Sequence, residues 1–488
     1  MNPSDLKNQA ISGVIWNFFG KATSYVIEFI VGIILARLLS PREFGLIGTI
    51  VVFVALADIF INSGFSQALI RKKDCTQEDY STVFFFNLLM GIFLFFVLFL
   101  SSGQISRFFN NSELKPLIQV LGIVLIISSL SLIQRAKLTR EIDFRLQTKI
   151  SVIASVMSGT IAVTMAYLGF GVWSLVVKTL VNDGFNTILL WSWSKWKPDF
   201  TFSLKSFKEL FSFGSKLLIS GLIGTLLQNI NYIIIAKYFT PQDLGYFTRA
   251  EMFKNLPSQN ISAVVTTVGY PVLSTIQEDK SRMKDAFRKM FTNTFFLIVV
   301  LMAGMAATSR ALIVTIVGEQ WLPSVSMLQL LCILGVLIPI NSMNVNVLNV
   351  VGRSDLYLKL QMIVQSLSIP NIFIGVFFGI KALILGMILI AVFGYIIFNF
   401  ESNKILNYPI KEQIKDIYSS VLLAASMAFV VFLIDYLTVM KPLATLIIQV
   451  LTGLILVIAA GEILNLEEYG FFKKTFLEKI QNIRLKFV

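Results

Sequence analysis

Long apolar runs separated by short polar breaks fill the chain from end to end. A helix rises about 1.5 Å per residue, so about 20 apolar residues cross about 30 Å of hydrocarbon. Fourteen runs reach that length, at 12–39, 44–69, 80–100, 114–134, 149–168, 171–191, 208–239, 244–274, 286–308, 325–350, 357–379, 381–400, 416–437 and 442–463. The pattern predicts an all-α polytopic membrane protein with about fourteen transmembrane helices. Two breaks are so short that neighbouring spans must turn on glycine, at Gly169 to Gly171 and near Gly379 to Lys381, about 210 positions apart.

A motif recurs at nearly the same interval. ARLLSPREFG, Ala36 to Gly45, reappears 200 positions later as AKYFTPQDLG, Ala236 to Gly245. Ala, Pro and Gly stay in register, and Arg37/Lys237, Ser40/Thr240, Glu43/Asp243 and Phe44/Leu244 keep their character. Each copy lies between two apolar runs, so it reads as an interhelical loop whose turn Pro and Gly set. A repeat this long implies two homologous halves of six spans, 1–200 and 201–404, with a terminal pair and a basic tail in 405–488. The halves are joined around Trp191, Trp193 and Trp196, at the expected inner interface, followed by a capping box from Ser206 to Glu209. In the tail, Phe472, Phe476, Ile480, Ile483 and Phe487 recur at helical spacing among basic residues, as in a helix lying on the inner membrane surface.

Composition narrows the class further. Of 488 residues 56% are hydrophobic and only 14% charged, where a soluble globule carries nearer a quarter. Mean hydropathy is +0.77. There is no histidine, the usual general base and metal ligand, and Cys75 and Cys332 fit no zinc or redox spacing, so enzyme chemistry is disfavoured. The first apolar run has no small-residue cleavage site and is expected to stay as a span. With the N-terminus inside, the expected inner loops hold 29 Lys and Arg against 8 outside, which places both termini in the cytoplasm. Those loops and anionic lipid account for the formal charge of +13 without nucleic acid.

Polar positions inside the spans are the candidate chemistry. Lys21, Lys178, Arg249 and Lys254 lie there with Glu28, Asp58, Asp183 and Glu251. A charge at mid-membrane costs about 2.5–3.5 kcal/mol on insertion scales, so each is expected to face a cavity or a partner. Asn17, Lys21, Ser24 and Glu28 line one stripe of the first span, and Ser174, Lys178, Asn182 and Asn186 a comparable row of the sixth. Gln228, Asn346 and Gln365 belong to uncharged rows in the second half. Rows of Asn or Ser alone serve helix packing, whereas rows bearing charge point to a hydrophilic cavity. Two hundred positions relate Glu28 to Gln228, Thr49 to Arg249 and Asp58 to Ser258, so the first half is the more acidic. Glu251 and Lys254, three apart, can equally form an internal pair.

LARLLSPREFGLIGTI, ADIFINSGFSQALIRKKD, GYFTRAEMFKNLP and VGYPVLSTIQED resemble the polysaccharide-exporting branch of the multidrug/oligosaccharidyl-lipid/polysaccharide superfamily, most closely the Wzx-type, colanic-acid-exporter-like flippases. The resemblance implies two six-helix lobes around a central cavity, related by a pseudo-two-fold along the membrane normal, plus a C-terminal helix pair. It further implies that an undecaprenyl-pyrophosphate-linked oligosaccharide repeat unit passes from the inner to the outer leaflet of the bacterial inner membrane by alternating access. That step would serve O-antigen, capsule or exopolysaccharide synthesis beside a polymerase and glycosyltransferases. In that setting Lys21, Lys178, Arg249 and, more weakly, Lys254 would hold the pyrophosphate, while Asn17, Asn182, Gln228, Asn346 and Gln365 would face sugar. Glu28, Asp58 and Asp183 could bind a coupling H⁺ or Na⁺, and no nucleotide motif is present. A lipid II flippase, a cation-coupled drug or metabolite exporter of the same fold, and a membrane glycan polymerase are the alternatives.

Overall fold

The computed structural model describes residues 3–62, 64–72, 74–194, 196–437 and 440–487, with side-chain detail for all of these except 3–15, 17–19, 21–22, 62, 213, 216–217, 476 and 479–487. Among the described residues the regular elements are all helical. In chain order they begin α1 (Pro3–Leu38), α2 (Pro41–Asn62), α3 (Phe65–Arg71), α4 (Gln77–Phe108), α5 (Leu114–Leu121) and α6 (Ile123–Arg140). Next come α7 (Phe144–Tyr167), α8 (Val172–Trp193), α9 (Leu204–Tyr238), α10 (Pro241–Thr275), α11 (Lys280–Ile316) and α12 (Ser324–Val350). The last are α13 (Ser354–Ser366), α14 (Ser368–Phe378), α15 (Ile380–Leu406), α16 (Ile410–Leu437), α17 (Pro442–Ile463) and α18 (Glu467–Phe487).

Eleven helical segments among the described residues are long and apolar enough to cross a membrane. The other three expected spans coincide with α1, α8 and α10, which have the length. Charge in mid-helix makes α8 and α10 less apolar: Lys178 and Asp183 in one, Arg249, Glu251 and Lys254 in the other. Three expected spans are broken helices. The second is carried by α2 and α3, the fourth divides at Gly122 into α5 and α6, and the eleventh at Leu367 into α13 and α14, with Pro370 in the first turn of α14. The two glycine turns stand where the sequence places them, with φ of 85° at Gly169, 56° at Gly171 and 93° at Gly379.

The duplicated motif does join two helices, but through a much shorter connection than its ten residues suggest. Only Leu39 and Ser40 separate α1 from α2, and only Phe239 and Thr240 separate α9 from α10, so each proline opens a helix and each glycine lies inside it. Proline suits that place because its missing N–H would have no helical partner. Thr240 and Asp243 form a reciprocal capping box: the Thr240 N–H and hydroxyl donate to the Asp243 carboxylate at 3.1 and 2.7 Å, and the Asp243 N–H donates to the Thr240 hydroxyl at 3.2 Å. In the first copy the Ser40 N–H and hydroxyl donate to Glu43 at 2.6 and 2.9 Å. The linker corrects a second expectation: the cap of α9 is Ser203, whose hydroxyl accepts from the Ser206 N–H at 3.3 Å, and Glu209 instead pairs with Lys72 at 3.1 Å.

The chain divides into two compact units, Met1–Gly245 and Tyr246–Val488. In the first, α1 packs on α7, α7 on α8, α4 and α8 on α6, and α9 on α2. Small residues permit this closeness, as a side chain on Gly20 would strike Thr148 and one on Gly159 would strike Val31. The linker is pinned to the start of α4: the Trp196 indole donates to Gln77 at 2.7 Å, and the Asp199 and Ser203 N–H groups donate to Ser81 and Thr82 at 3.0 Å each. Lys72 bridges Asp79 and Glu209. Burial pulls its pKa down, but the hydrogen bonds to the two carboxylates outweigh that and leave it above the ordinary lysine value.

In the second unit α11 packs on α12, α16 and α17, and α15 packs on α12 and α14. Arg288 forks onto Asp416 with both bonds at 2.6 Å, the Tyr408 hydroxyl donates to the same carboxylate, and Lys284 pairs with Glu412 at 2.9 Å. The terminal helix pair is thereby tied to α11. In the tail, Phe472 stacks on Phe296 with ring centres 6.1 Å apart, Tyr469 packs over Gly461, and Lys473 pairs with Glu462. Phe476, Ile480, Ile483 and Phe487 fall outside the described side chains.

Candidate functional site

Helix α6 carries Ser128, Ser131 and Arg135 at i, i+3 and i+7, which sets them on one face. Two cavities open along that face, and both include Arg135 in their walls. The first, about 330 Å³, is bounded by α1, α6, α7 and α8, with Ser24, Glu28, Gln147, Thr148, Ser151 and Asn186 among its walls. The second, about 440 Å³, is bounded by α2, α3, α6 and α8 and contains Asp58, Asp183, Ser66, Ser128, Ser131 and Thr179. All of these residues belong to the first unit.

The polar walls are partly knitted together. Ser24 and Ser151 share a hydrogen bond at 3.2 Å, the Gln147 amide donates to the Thr139 hydroxyl at 3.0 Å, and the Asn186 amide donates to the Asn182 carbonyl at 2.9 Å. Asp58 and Asp183 share the second cavity with Arg135, and Glu28 shares the first with it. Three carboxylates around one guanidinium, within helices of membrane-spanning length, form a polar interior that hydrocarbon alone would not tolerate.

The structure therefore brings Glu28, Asp58, Asp183 and Asn182 into one neighbourhood, with Lys178 one position before the cavity-lining Thr179 on α8. Lys21 and Asn17 stand on the same helix as Glu28, but their side chains lie outside the described residues. The other candidates stand apart from this site. Gln228 is exposed on α9, and Gln365 is half-buried on α13. Asn346 is buried and donates to the Val265 carbonyl at 3.5 Å, a tie between α12 and α10. Lys254 is 3% exposed and pairs with Glu251 at 3.4 Å. Arg249 is 4% exposed, with its guanidinium 4.9 Å from the centre of the fully buried Trp321 ring and one Nη 3.1 Å from the Met252 sulfur. Arg135 itself was not a candidate, because the fourth apolar run ends one residue before it and it reads as the first cation of an inner loop. The polar stripe Ser128, Ser131, Arg135 is the signal that identifies it.

The second unit holds a different cavity, about 510 Å³, between α10, α11 and α18. It is largely apolar, walled by Val264, Val268, Leu297 and Phe472, with Asn293 and Lys289 as its main polar groups.

Comparison with known proteins adds a framework. The model of a family described as polysaccharide biosynthesis protein matches residues 34–326. The chain is 27% identical over 353 residues to the teichuronic acid biosynthesis protein TuaB of Bacillus subtilis, covering 72% of this chain and 73% of that one. It is 25% identical over 372 residues to the lipopolysaccharide biosynthesis protein WzxC of Escherichia coli, with 76% of each chain covered. It is also 25% identical over 321 residues to the succinoglycan biosynthesis transport protein ExoT of Rhizobium meliloti, covering 66% and 65%. Among solved structures, the lipid II flippase MurJ in an inward closed conformation superposes with a TM-score of 0.71 at 18% identity, covering 93% of this chain and 98% of that one. That likeness establishes the fold, that of a multi-pass helical membrane protein.

Proposed function

We propose, from the premise that this chain belongs to the family of polysaccharide biosynthesis proteins, that it is a flippase for undecaprenyl-pyrophosphate-linked oligosaccharide repeat units. It would carry them from the inner to the outer leaflet of the bacterial inner membrane, with both termini cytoplasmic. The observation that carries this reading is the pair of polar cavities around Arg135, set among helices of membrane-spanning length. A sugar and pyrophosphate headgroup cannot enter hydrocarbon without losing its hydrogen bonds to water, and a wet, charge-lined interior removes that penalty. The lipid chain needs no such shelter. The printed names of the relatives, which cover teichuronic acid, lipopolysaccharide and succinoglycan synthesis, support a glycan precursor as the load.

In this reading Lys21, Lys178 and Arg249 compensate pyrophosphate, with Arg249 drawn from its stack on Trp321 and Lys254 released from Glu251. Asn17, Asn182, Gln228, Asn346 and Gln365 serve sugar hydroxyls. Glu28, Asp58 and Asp183 take up a coupling H⁺ or Na⁺. Alternating access then exposes the headgroup first to one side and then to the other. A polymerase and glycosyltransferases are the enzymes that would consume and supply the load.

Depletion of the protein in cells fed labelled sugar tests the reading directly. Lipid-linked oligosaccharide should accumulate on the inner leaflet, out of reach of an added impermeant glycosidase. Accumulation on the outer leaflet would refute transport.

A further inference from the structure

We propose that the first cavity is a phosphate-binding subsite built on Arg135. This deepens the reading above and rests on it. Arg135 lines both cavities, and the two differ in charge. The second contains Asp58 and Asp183, and an anion there would meet two carboxylates. The first cavity offers a single acid, Glu28, and otherwise hydroxyls and amides from Ser24, Gln147, Thr148, Ser151 and Asn186. An arginine that lines both has donors to offer to the less acidic one, since its fork carries five N–H groups in one plane.

Phe144, Gln147 and Thr148, in the first two turns of α7, add an amide and a hydroxyl to the walls of the first cavity. Its volume of about 330 Å³ exceeds what a diphosphate occupies and leaves room for the attached sugar.

The experiment uses the full-length protein in lipid nanodiscs, with geranylgeranyl pyrophosphate as the probe, geranylgeraniol as the phosphate-free control and thermal unfolding as the readout. Bound ligand raises the melting temperature in proportion to its occupancy. The wild type should be stabilised by the pyrophosphate and not by the alcohol. Arg135→Lys keeps the charge facing the acids but loses the fork, so it should keep the ligand-free melting temperature and bind about tenfold more weakly. Ser151→Leu fills the first cavity without touching a charge and should cause a similar loss. Affinity unchanged in both variants would overturn the subsite while leaving the substrate reading intact. A wild type that responds equally to the alcohol and the pyrophosphate would overturn both.

Discussion

Gly45 and Gly245 occupy equivalent positions in the two copies of the duplicated motif, and each lies against the proline carbonyl of the other copy, Pro241 and Pro41. A side chain on either glycine would strike backbone, which cannot rotate aside. Gly45→Ala or Gly245→Ala should therefore destabilise the protein by about 1–3 kcal/mol, the usual range for overpacking. The check is thermal unfolding of the purified variants. A melting temperature equal to wild type in both would show that the contact yields freely.

The capping residues of the motif should matter less than its glycines. Thr240→Ala removes the hydroxyl that accepts from the Asp243 N–H and donates to its carboxylate. Loss of such a cap costs about 0.5–2 kcal/mol. Ser40→Ala should fall in the same range, and the double variant should show the sum, which unfolding of singles and double together measures.

Arg249 on Trp321 offers a functional test. Arg249→Ala should abolish surface polysaccharide while the protein still inserts into the membrane at normal abundance. Arg249→Lys keeps the charge without the planar fork and should retain part of the export. Immunoblotting of membranes beside staining of surface glycan separates the two effects. Normal glycan on cells carrying Arg249→Ala would remove this residue from the substrate path.

Alkaline pH should expose the clamp at Tyr408. Burial pushes its phenol up, and the hydrogen bond to Asp416 adds to the shift, so folding favours the neutral form. A group whose folded pKa is raised contributes fully below its unfolded value, about 10 for tyrosine, and loses that contribution as pH rises toward the folded value. The difference in stability between wild type and Tyr408→Phe should stay constant from about pH 5, where Asp416 is ionised, to about pH 10, at about 1.5–3 kcal/mol for a hydrogen bond to a charged group, and shrink above it. Melting curves across that range provide the measurement.

Much of the architecture is legible in the sequence, because the property that places a helix in a membrane is the one that hydropathy measures. The glycine turns at 169–171 and 379 are legible for a related reason: so short a break leaves no other residue to adopt positive φ. Arg135 escapes because an apolar run ends where charge begins, whereas α6 continues to Arg140 on backbone hydrogen bonds that are indifferent to the side chain. The capping boxes are visible as paired Ser40/Glu43 and Thr240/Asp243, yet Pro and Gly nearby suggest a loop. Trp321 cannot be connected to Arg249 at all, since 72 positions separate them and no periodicity links two helices' neighbours.

The meeting of Pro41 to Gly45 with Pro241 to Gly245 has one more consequence. In this contact each copy supplies both halves of what the other needs, a glycine to be approached and a proline carbonyl to approach it. A patch complementary to itself is what an isologous dimer interface requires.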